Sequence, residues 1–304
     1  MRSLKNYRTE ILILILGLLL VNGVFIWNGI RPFDKDSAEY AERFGAFIGG
    51  YAGSLFSLAA TLLLFATLRN QRQSFERQDF ETRYFELLKL HRENTSEIEL
   101  GNRSGRRVFV TMLTEFLAAH DRVAALARRS DGLLSSEQCI QAAYYSIFFG
   151  VGPSSSRMLA AYLSEIGISA ETTVLISAEL TLAQQRASAS TNYLLFDGHQ
   201  SRLGHYYRHL YQMVRYVDQQ PRSILSDEEK YEFVKTIRAQ LSTHEQALLL
   251  LNSLTPMGHN WWSNGLIESY RIVENIPRDF FAPNIGLEMD KRFKSGYFEW
   301  EENQ

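Results

Sequence analysis

Two histidines, His205 and His209, lie four residues apart in a stretch with helical periodicity, so both side chains fall on one face of a helix. Such a pair can ligate a metal ion when a third histidine, cysteine or carboxylate ligand lies nearby. No glutamate follows His205, and the neighbouring sequence offers no third ligand. The sequence also lacks Gly-rich phosphate loops, a Gly-x-Ser-x-Gly elbow and paired Cys motifs. We therefore predict neither a metal site nor a cofactor.

A second pair that could do chemistry is Arg238 and His244, which are separated by five residues. This spacing resembles the Arg-x(4–6)-His motif of helical RNases of the HEPN class, in which motifs from two protomers together cleave RNA. A chain with this many arginines and seven histidines contains one such spacing by chance. We therefore predict that the protein is not an enzyme, and a membrane-tethered RNase toxin acting through Arg238 and His244 stays the alternative.

Two stretches without a charged residue, residues 11–30 and 44–68, lie near the start of the sequence. About 20 helical residues cross a hydrocarbon core of roughly 30 Å, so each stretch is long enough to span a membrane. Arginine and lysine precede the first stretch and follow the second, whereas the connector is net acidic. Because positive residues are retained in the cytoplasm, we predict a transmembrane helical hairpin over residues 1–72 with both termini cytoplasmic.

One face of the second predicted span carries almost no side chains, because Gly45, Gly49, Gly53 and Ser57 recur at four-residue intervals. Such a face lets another helix approach closely. It can pack on the first span of the same chain, or between chains in a homo-oligomeric cluster of hairpins that opens a leak. Asn22, in the middle of the first span, has an amide that is costly in lipid and is predicted to face a partner helix or a water-lined interior.

The remaining residues, 73–304, are predicted to form one cytoplasmic α-helical domain, since no segment alternates with the period of a strand. A formal net charge of −2 gives the chain no general attraction to nucleic acid. Ser226 and Glu229 form a capping box that opens the longest predicted helix of this domain. The predicted helices cover about residues 106–129, 135–149, 154–166, 170–189, 203–217 and 227–254. Beyond Pro256, an aromatic-rich segment is predicted to cover the helical body.

Four blocks of this domain share motifs with a known family. The blocks are residues 80–94, 105–116, 203–218 and 231–252. In the third block, Tyr206, Arg208, Leu210 and Tyr211 match a Tyr-Phe-Arg-x-Leu-Tyr core, although Tyr207 stands where the family usually shows Phe. In the fourth, Arg238, Ala239, Gln240, Leu241, Ser242 and Glu245 match an Arg-Ala-Gln-Leu-Ser-x-x-Glu core. The chain thereby resembles the putative phage abortive-infection proteins of the AbiC type, which are bacterial membrane-anchored defence proteins.

The resemblance implies a toxic effector of anti-phage abortive infection in the bacterial inner membrane. In particular, the chain is similar to two-span effectors carried by some retrons, which act beside a reverse transcriptase and its RNA-linked DNA. Binding of that partner would keep the effector inactive, and release on infection would let hairpins associate and permeabilise the membrane. The resemblance implies no catalytic residue for this chain.

The two specific blocks are unusually rich in polar groups, and two interpretations of them stay open. In the first, the apolar helix faces pack together and the polar groups are solvated. In the second, the helices pair through buried hydrogen bonds and form a sensor surface or an oligomer contact. We predict this interaction surface from the residues Tyr206, Arg208, Tyr211, Arg238, Gln240, Ser242 and Glu245.

Overall fold

A computed structural model describes residues 19, 23, 26–27, 35–129, 134–187, 192–281 and 285–302. Apart from four helical positions, the first predicted span therefore lies outside the described residues, and so does Asn22. The described part of the chain is mostly helical and confirms the predicted all-α class. One described helix, which contains the second predicted span, is long and apolar enough to cross a membrane.

Twelve α-helices and one short 3₁₀-helix make up the described secondary structure, together with a pair of two-residue strands. The elements are α1 (Lys35–Glu97), β1 (Glu99–Leu100), β2 (Arg103–Ser104), α2 (Arg107–Arg129), α3 (Ser136–Phe149), α4 (Ser156–Glu165), α5 (Ala170–Ala187), α6 (Gln200–Asp218), α7 (Asp227–Arg238), α8 (Thr243–Ser253), a 3₁₀-helix (Pro256–Gly258), α9 (Asn260–Ser263), α10 (Leu266–Tyr270), α11 (Met289–Arg292) and α12 (Glu299–Glu302).

The chain divides into two compact units, Met1–Phe75 and Glu76–Gln304. Helix α1 contains the end of the first unit and the beginning of the second. It begins at Lys35, so residues 35–43 of the predicted connector are helical. There Arg43 and Glu39 form an ion pair one helical turn apart, with 2.6 Å between Nη2 and Oε1.

Local sequence signals explain where several helices begin. Ser135 and Gln138 form the predicted capping box at the start of α3, with both reciprocal hydrogen bonds present. Ser226 and Glu229 do the same at the start of α7, again as predicted. At the other end of α3, Gly150 has a φ of +88°, a left-handed conformation that favours glycine, and it stops the helix.

The prediction of a single helix over residues 227–254 was wrong, because the chain turns between α7 and α8. Leu241 donates its backbone N–H to the carbonyl of Arg238, which tightens the end of α7. Ser242 then caps α8 in a third capping box with Glu245. The intervening Ala, Gln and Leu are good helix formers and hide this break, although Ser242-x-x-Glu245 is itself a start signal.

The sequence predicts no strand, but Glu99 and Leu100 pair antiparallel with Ser104 and Arg103. This two-residue ladder closes the turn that begins at Gly101, where φ is +60°. It links α1 to α2.

The core of the second unit is built around α2, α3 and α8. Helix α2 packs most extensively on α3 and also contacts α5 and α8, while α3 contacts α4, α6 and α8. The apolar stripe of α2 supplies Phe109, Met112 and Phe116, all fully buried. The buried run Leu248–Leu251 shows that α8 is enclosed on every side, which positions its first turn deep in the domain.

The aromatic residues after Pro256 pack on the body, as predicted. Trp261, Phe293, Tyr297 and Phe298 are buried in the same core. Trp300 donates its indole N–H to the carbonyl of Ile276 at 3.1 Å. The described part of this segment is therefore an integral part of the domain.

Candidate functional site

A fully buried carboxylate, that of Glu245, lies at the junction of α6 and α8. The hydroxyl of Tyr206 on α6 donates to its Oε1 at 2.9 Å, and both residues are almost completely inaccessible to solvent. An unpaired charge is costly in such a place, so this bond stabilises the packing of α6 on α8. Two of the predicted surface residues therefore meet in the interior.

The second oxygen of the same carboxylate holds the turn before α8. Oε2 accepts hydrogen bonds from the backbone N–H and the hydroxyl of Ser242 at 2.7 and 2.6 Å. Arg106, which precedes α2, places Nε 3.6 Å from Oε2 and donates through Nη2 to the carbonyl of Gln240 at 2.6 Å. We call Arg106, Tyr206, Ser242 and Glu245 the Glu245 centre. It ties three segments of the second unit to one charge.

Two histidines lie beside the Glu245 centre. The ring of His91 on α1 lies 5.1 Å from that of Tyr206 and stacks on His209 at 5.9 Å, with neither ring nitrogen hydrogen-bonded. Burial, together with the charges of His209 and Arg106, lowers the pKa of His91 to about 4. Burial and the adjacent carboxylate raise the pKa of Tyr206 well above its ordinary value. His91 is therefore neutral at physiological pH, and Tyr206 keeps its proton.

The metal interpretation of His205 and His209 gains no support from this arrangement. Nε2 of His209 lies 2.9 Å from the carbonyl oxygen of Leu87, and His205 is exposed. Within the described ranges, no three His, Cys, Asp or Glu side chains converge as metal ligands do.

The side chain of Arg238 has different partners from those of the Glu245 centre. Its Nη1 forms an ion pair with Oε2 of Glu274 at 2.5 Å and donates to the carbonyls of Tyr270 and Arg271 at 3.1 and 3.2 Å. The ring of His244 meets the ring of Phe280 edge to face, with 5.2 Å between centroids. Both residues of the Arg-x(5)-His spacing thus have structural contacts, and the RNase activity stays a prediction.

Arg208 and Tyr211 occupy a third location, on the outer side of α6. The exposed Arg208 donates through Nε to the carbonyl of Gly204 at 2.9 Å, one turn back along its own helix. The hydroxyl of Tyr211 accepts from Nδ2 of Asn264 at 2.9 Å, and its ring packs against Trp261. The seven residues predicted to share a surface are therefore distributed over three sites.

Sequence reasoning missed a second buried polar pair, Glu115 and His199. Oε2 of Glu115 on α2 lies 2.7 Å from Nε2 of His199, and both side chains are inaccessible. The other carboxylate oxygen accepts from the backbone N–H of Phe196, which has a φ of +55°. The signal in the sequence was Glu115 itself, a glutamate between Met112 and Phe116 on an apolar helix face. The hydrogen bonds of Glu115 connect the segment before α6 to α2.

The predicted glycine face lies on the exposed part of α1. Apart from the adjacent residues and the backbone of the helix itself, no described atom would lie within 4 Å of a Cβ at Gly45, Gly49 or Gly53. Hydroxyls in the same span bond back to the helix, as in Thr61 Oγ1 to the carbonyl of Ser57 at 2.8 Å. Ser54, Thr61 and Thr67 can therefore lie in lipid without leaving their hydroxyl donors unpaired.

Comparison with models of protein families yields a match. Residues 198–281 fit the model of a family described as putative phage abortive infection protein. This segment is similar to a phage-defence family. It runs from the start of α6 to beyond α10 and contains Tyr206, Ser242, Glu245 and Arg238. None of the curated proteins or solved structures matches the chain. The similarity supports a role in antiviral abortive infection.

Proposed function

We propose that the protein is a membrane-anchored toxic effector of an anti-phage abortive-infection system, of the kind carried by retrons. In the resting cell a partner holds the chain in an inactive conformation. On infection the restraint is lost, hairpins associate, and the inner membrane becomes permeable before phage are made. Both termini lie in the cytoplasm. Permeabilisation of the membrane in this way requires no catalytic residue.

The observation that carries this function is the uninterrupted apolar surface of residues 44–68. In its most apolar stretch no side chain is buried within the structure. Water-exposed apolar surface costs about 25 cal/mol per Å², so a surface of this extent must be covered by lipid or by another helix. Its large exposed side chains are Phe47, Tyr51, Leu55, Phe56, Leu58, Leu62, Leu63, Leu64, Phe65 and Leu68.

The glycine face could allow membrane hairpins to associate and form a leak. Because nothing described fills the space around Gly45, Gly49 and Gly53, a helix from the same hairpin or from another chain can approach the backbone there. Packing between chains would cluster the hairpins into a homo-oligomer. Packing within one chain would leave a stable monomeric anchor, and the experiment below separates the two.

Restraint by a partner sets a thermodynamic condition on how that partner binds a two-state effector. A partner shifts the equilibrium only by binding the resting conformation more tightly than the active one. A retron reverse transcriptase with its RNA-linked DNA is the partner that we propose. The similarity of residues 198–281 to a phage-defence family supports the setting in which such a partner acts.

The test is expression of the chain alone in bacteria while membrane potential and growth are followed. We expect the potential to collapse before growth stops. Gly49→Leu and Gly53→Leu should abolish the collapse because they fill the glycine face. Ala66→Leu adds a similar side chain about 120° around the same helix and should leave the collapse unchanged.

Three further results would change the interpretation. Growth arrest with an intact potential would contradict the leak, and restoration of growth by His244→Ala would then favour the tethered RNase. Absence of toxicity both alone and during infection would favour an inert scaffold. Release of the full-length chain from carbonate-washed vesicles would refute the membrane anchor itself.

A further inference from the structure

A polar cavity of 570 Å³ opens in the second unit between α7, the turn that follows α10, and α12. Its volume falls within the range of about 300–1,000 Å³ that is usual for small-molecule sites. Its charged lining residues are Lys235, Arg238, Arg271, Glu274 and Glu299, and Tyr231 contributes an aromatic ring. Neither the abortive-infection similarity nor the proposed toxicity assigns a ligand to it.

Arg238 lines this cavity, and two of its guanidinium nitrogens have no hydrogen-bond partner among the described residues. The residue is only 6% exposed, and its ion pair and hydrogen bonds with described residues all use Nη1. Nε and Nη2 therefore keep their donors for an acceptor inside the cavity. The ring of Tyr231 lies 5.9 Å from the guanidinium carbon and supports the group from one face. A planar fork held in this way suits bidentate binding of a phosphate or carboxylate.

The charge balance of the cavity favours an anion. Three cationic side chains face two carboxylates, and both carboxylates have protein partners. Glu274 lies between Arg238 and Arg271, at 2.5 and 3.7 Å, while Glu299 accepts from Nδ2 of Asn275 at 2.8 Å. Their charge is thus directed at the wall of the cavity.

Two features of the rim support the same conclusion. Lys235 is about half exposed, and its closest ion-pair partner, Glu232, is 3.5 Å away. Arg271 has φ and ψ of +46°, a left-handed conformation that is uncommon for a residue other than glycine. Backbone strain of this kind is concentrated at ligand sites. With this conformation, Arg271 follows the end of α10 and lines the cavity.

We propose that this cavity binds a small phosphate-bearing molecule of about the size of a nucleotide. A phosphoryl group lies on the Nε and Nη2 edge of Arg238, and Lys235 neutralises the remaining charge from the rim. This binding is independent of the proposed membrane toxicity, since it concerns only residues of the second unit.

The test is calorimetric titration of the full-length chain in detergent with ATP, in EDTA so that phosphate charge meets only side chains. We expect saturable binding to the wild type, and displacement of ATP by inorganic phosphate at higher concentration. Lys235→Glu should weaken ATP binding at least tenfold. Arg238→Lys keeps the charge but loses the fork, so it should also weaken binding at least tenfold wherever the variant folds.

The matched control is Lys89→Glu. Lys89 is exposed on α1, pairs with Glu93 at 3.8 Å and does not line the cavity, so its reversal should leave ATP affinity unchanged. Absence of saturable ATP binding to the wild type would overturn the inference. Equal affinities of wild type and Lys235→Glu would also overturn it, as would ATP binding that inorganic phosphate does not displace.

Discussion

Replacing Tyr206 by Phe tests whether the Glu245 centre stabilises the domain as its geometry indicates. The substitution keeps the ring, which packs 4.9 Å from that of Phe109, and removes only the hydroxyl. Oε1 of Glu245 then loses its hydrogen-bond donor, although the carboxylate stays fully buried. A hydrogen bond to a charged group contributes about 1.5–3 kcal/mol, and a buried carboxylate oxygen left without its donor costs toward the upper end of that range.

We therefore expect Tyr206→Phe to lower the free energy of unfolding by about 2–3 kcal/mol. In a unit of this size, that corresponds to a fall in Tm of about 5–10 °C. The assay is thermal unfolding of the full-length chain in detergent, followed by intrinsic fluorescence.

Tyr211→Phe is the matched control for this experiment. It makes the same change on the same helix, and its hydroxyl also forms a hydrogen bond of 2.9 Å, but with a neutral partner at the surface. Its removal should cost less than about 1 kcal/mol. If Tyr206→Phe lowers Tm by no more than Tyr211→Phe does, the carboxylate does not depend on Tyr206 and our reasoning about the centre is wrong.

Three further predictions concern stability of the same full-length chain. Burial lowers the pKa of His91 from 6.5 to about 4, so as the pH falls the unfolded chain binds a proton at this residue before the folded chain does. The contribution of His91 to the free energy of unfolding is therefore complete above about pH 6.5 and falls by about 3 kcal/mol toward pH 4. His91→Phe should remove this fall from the profile of stability against pH. Gly198→Ala would place a Cβ 2.5 Å from the carbonyl oxygen of Phe149 at a φ of +104°, so urea unfolding should show a loss of at least about 3 kcal/mol in the free energy of unfolding. Gly204→Ala, in a helix, is the control and should change this free energy by less than about 1 kcal/mol. Equal effects of the two variants would contradict the close approach of the chain at Gly198. Ser226→Ala should lower the free energy of unfolding by about 1 kcal/mol, because α7 loses its N-cap. If the backbone amides in the first turn of α7 stay protected from hydrogen exchange in this variant, Ser226 does not have that capping role.

The sequence was sufficient for features that depend on neighbouring residues. Helical periodicity and two capping boxes located α2, α3, α6 and the start of α7. The apolar composition of residues 44–68 identified the one described helix that can cross a membrane. The third capping box, at Ser242, was equally local but was passed over within a run of good helix formers.

Only the tertiary structure decided which polar side chains meet. Tyr206 and Glu245 were both singled out from the sequence, but Arg106, which completes their centre, lies far from them along the chain. The pairing of Glu115 with His199 and the cavity below Arg238 depend likewise on segments distant in sequence. The physical reason is that helix formation and capping act over a few residues, whereas burial of a charge depends on how whole helices pack.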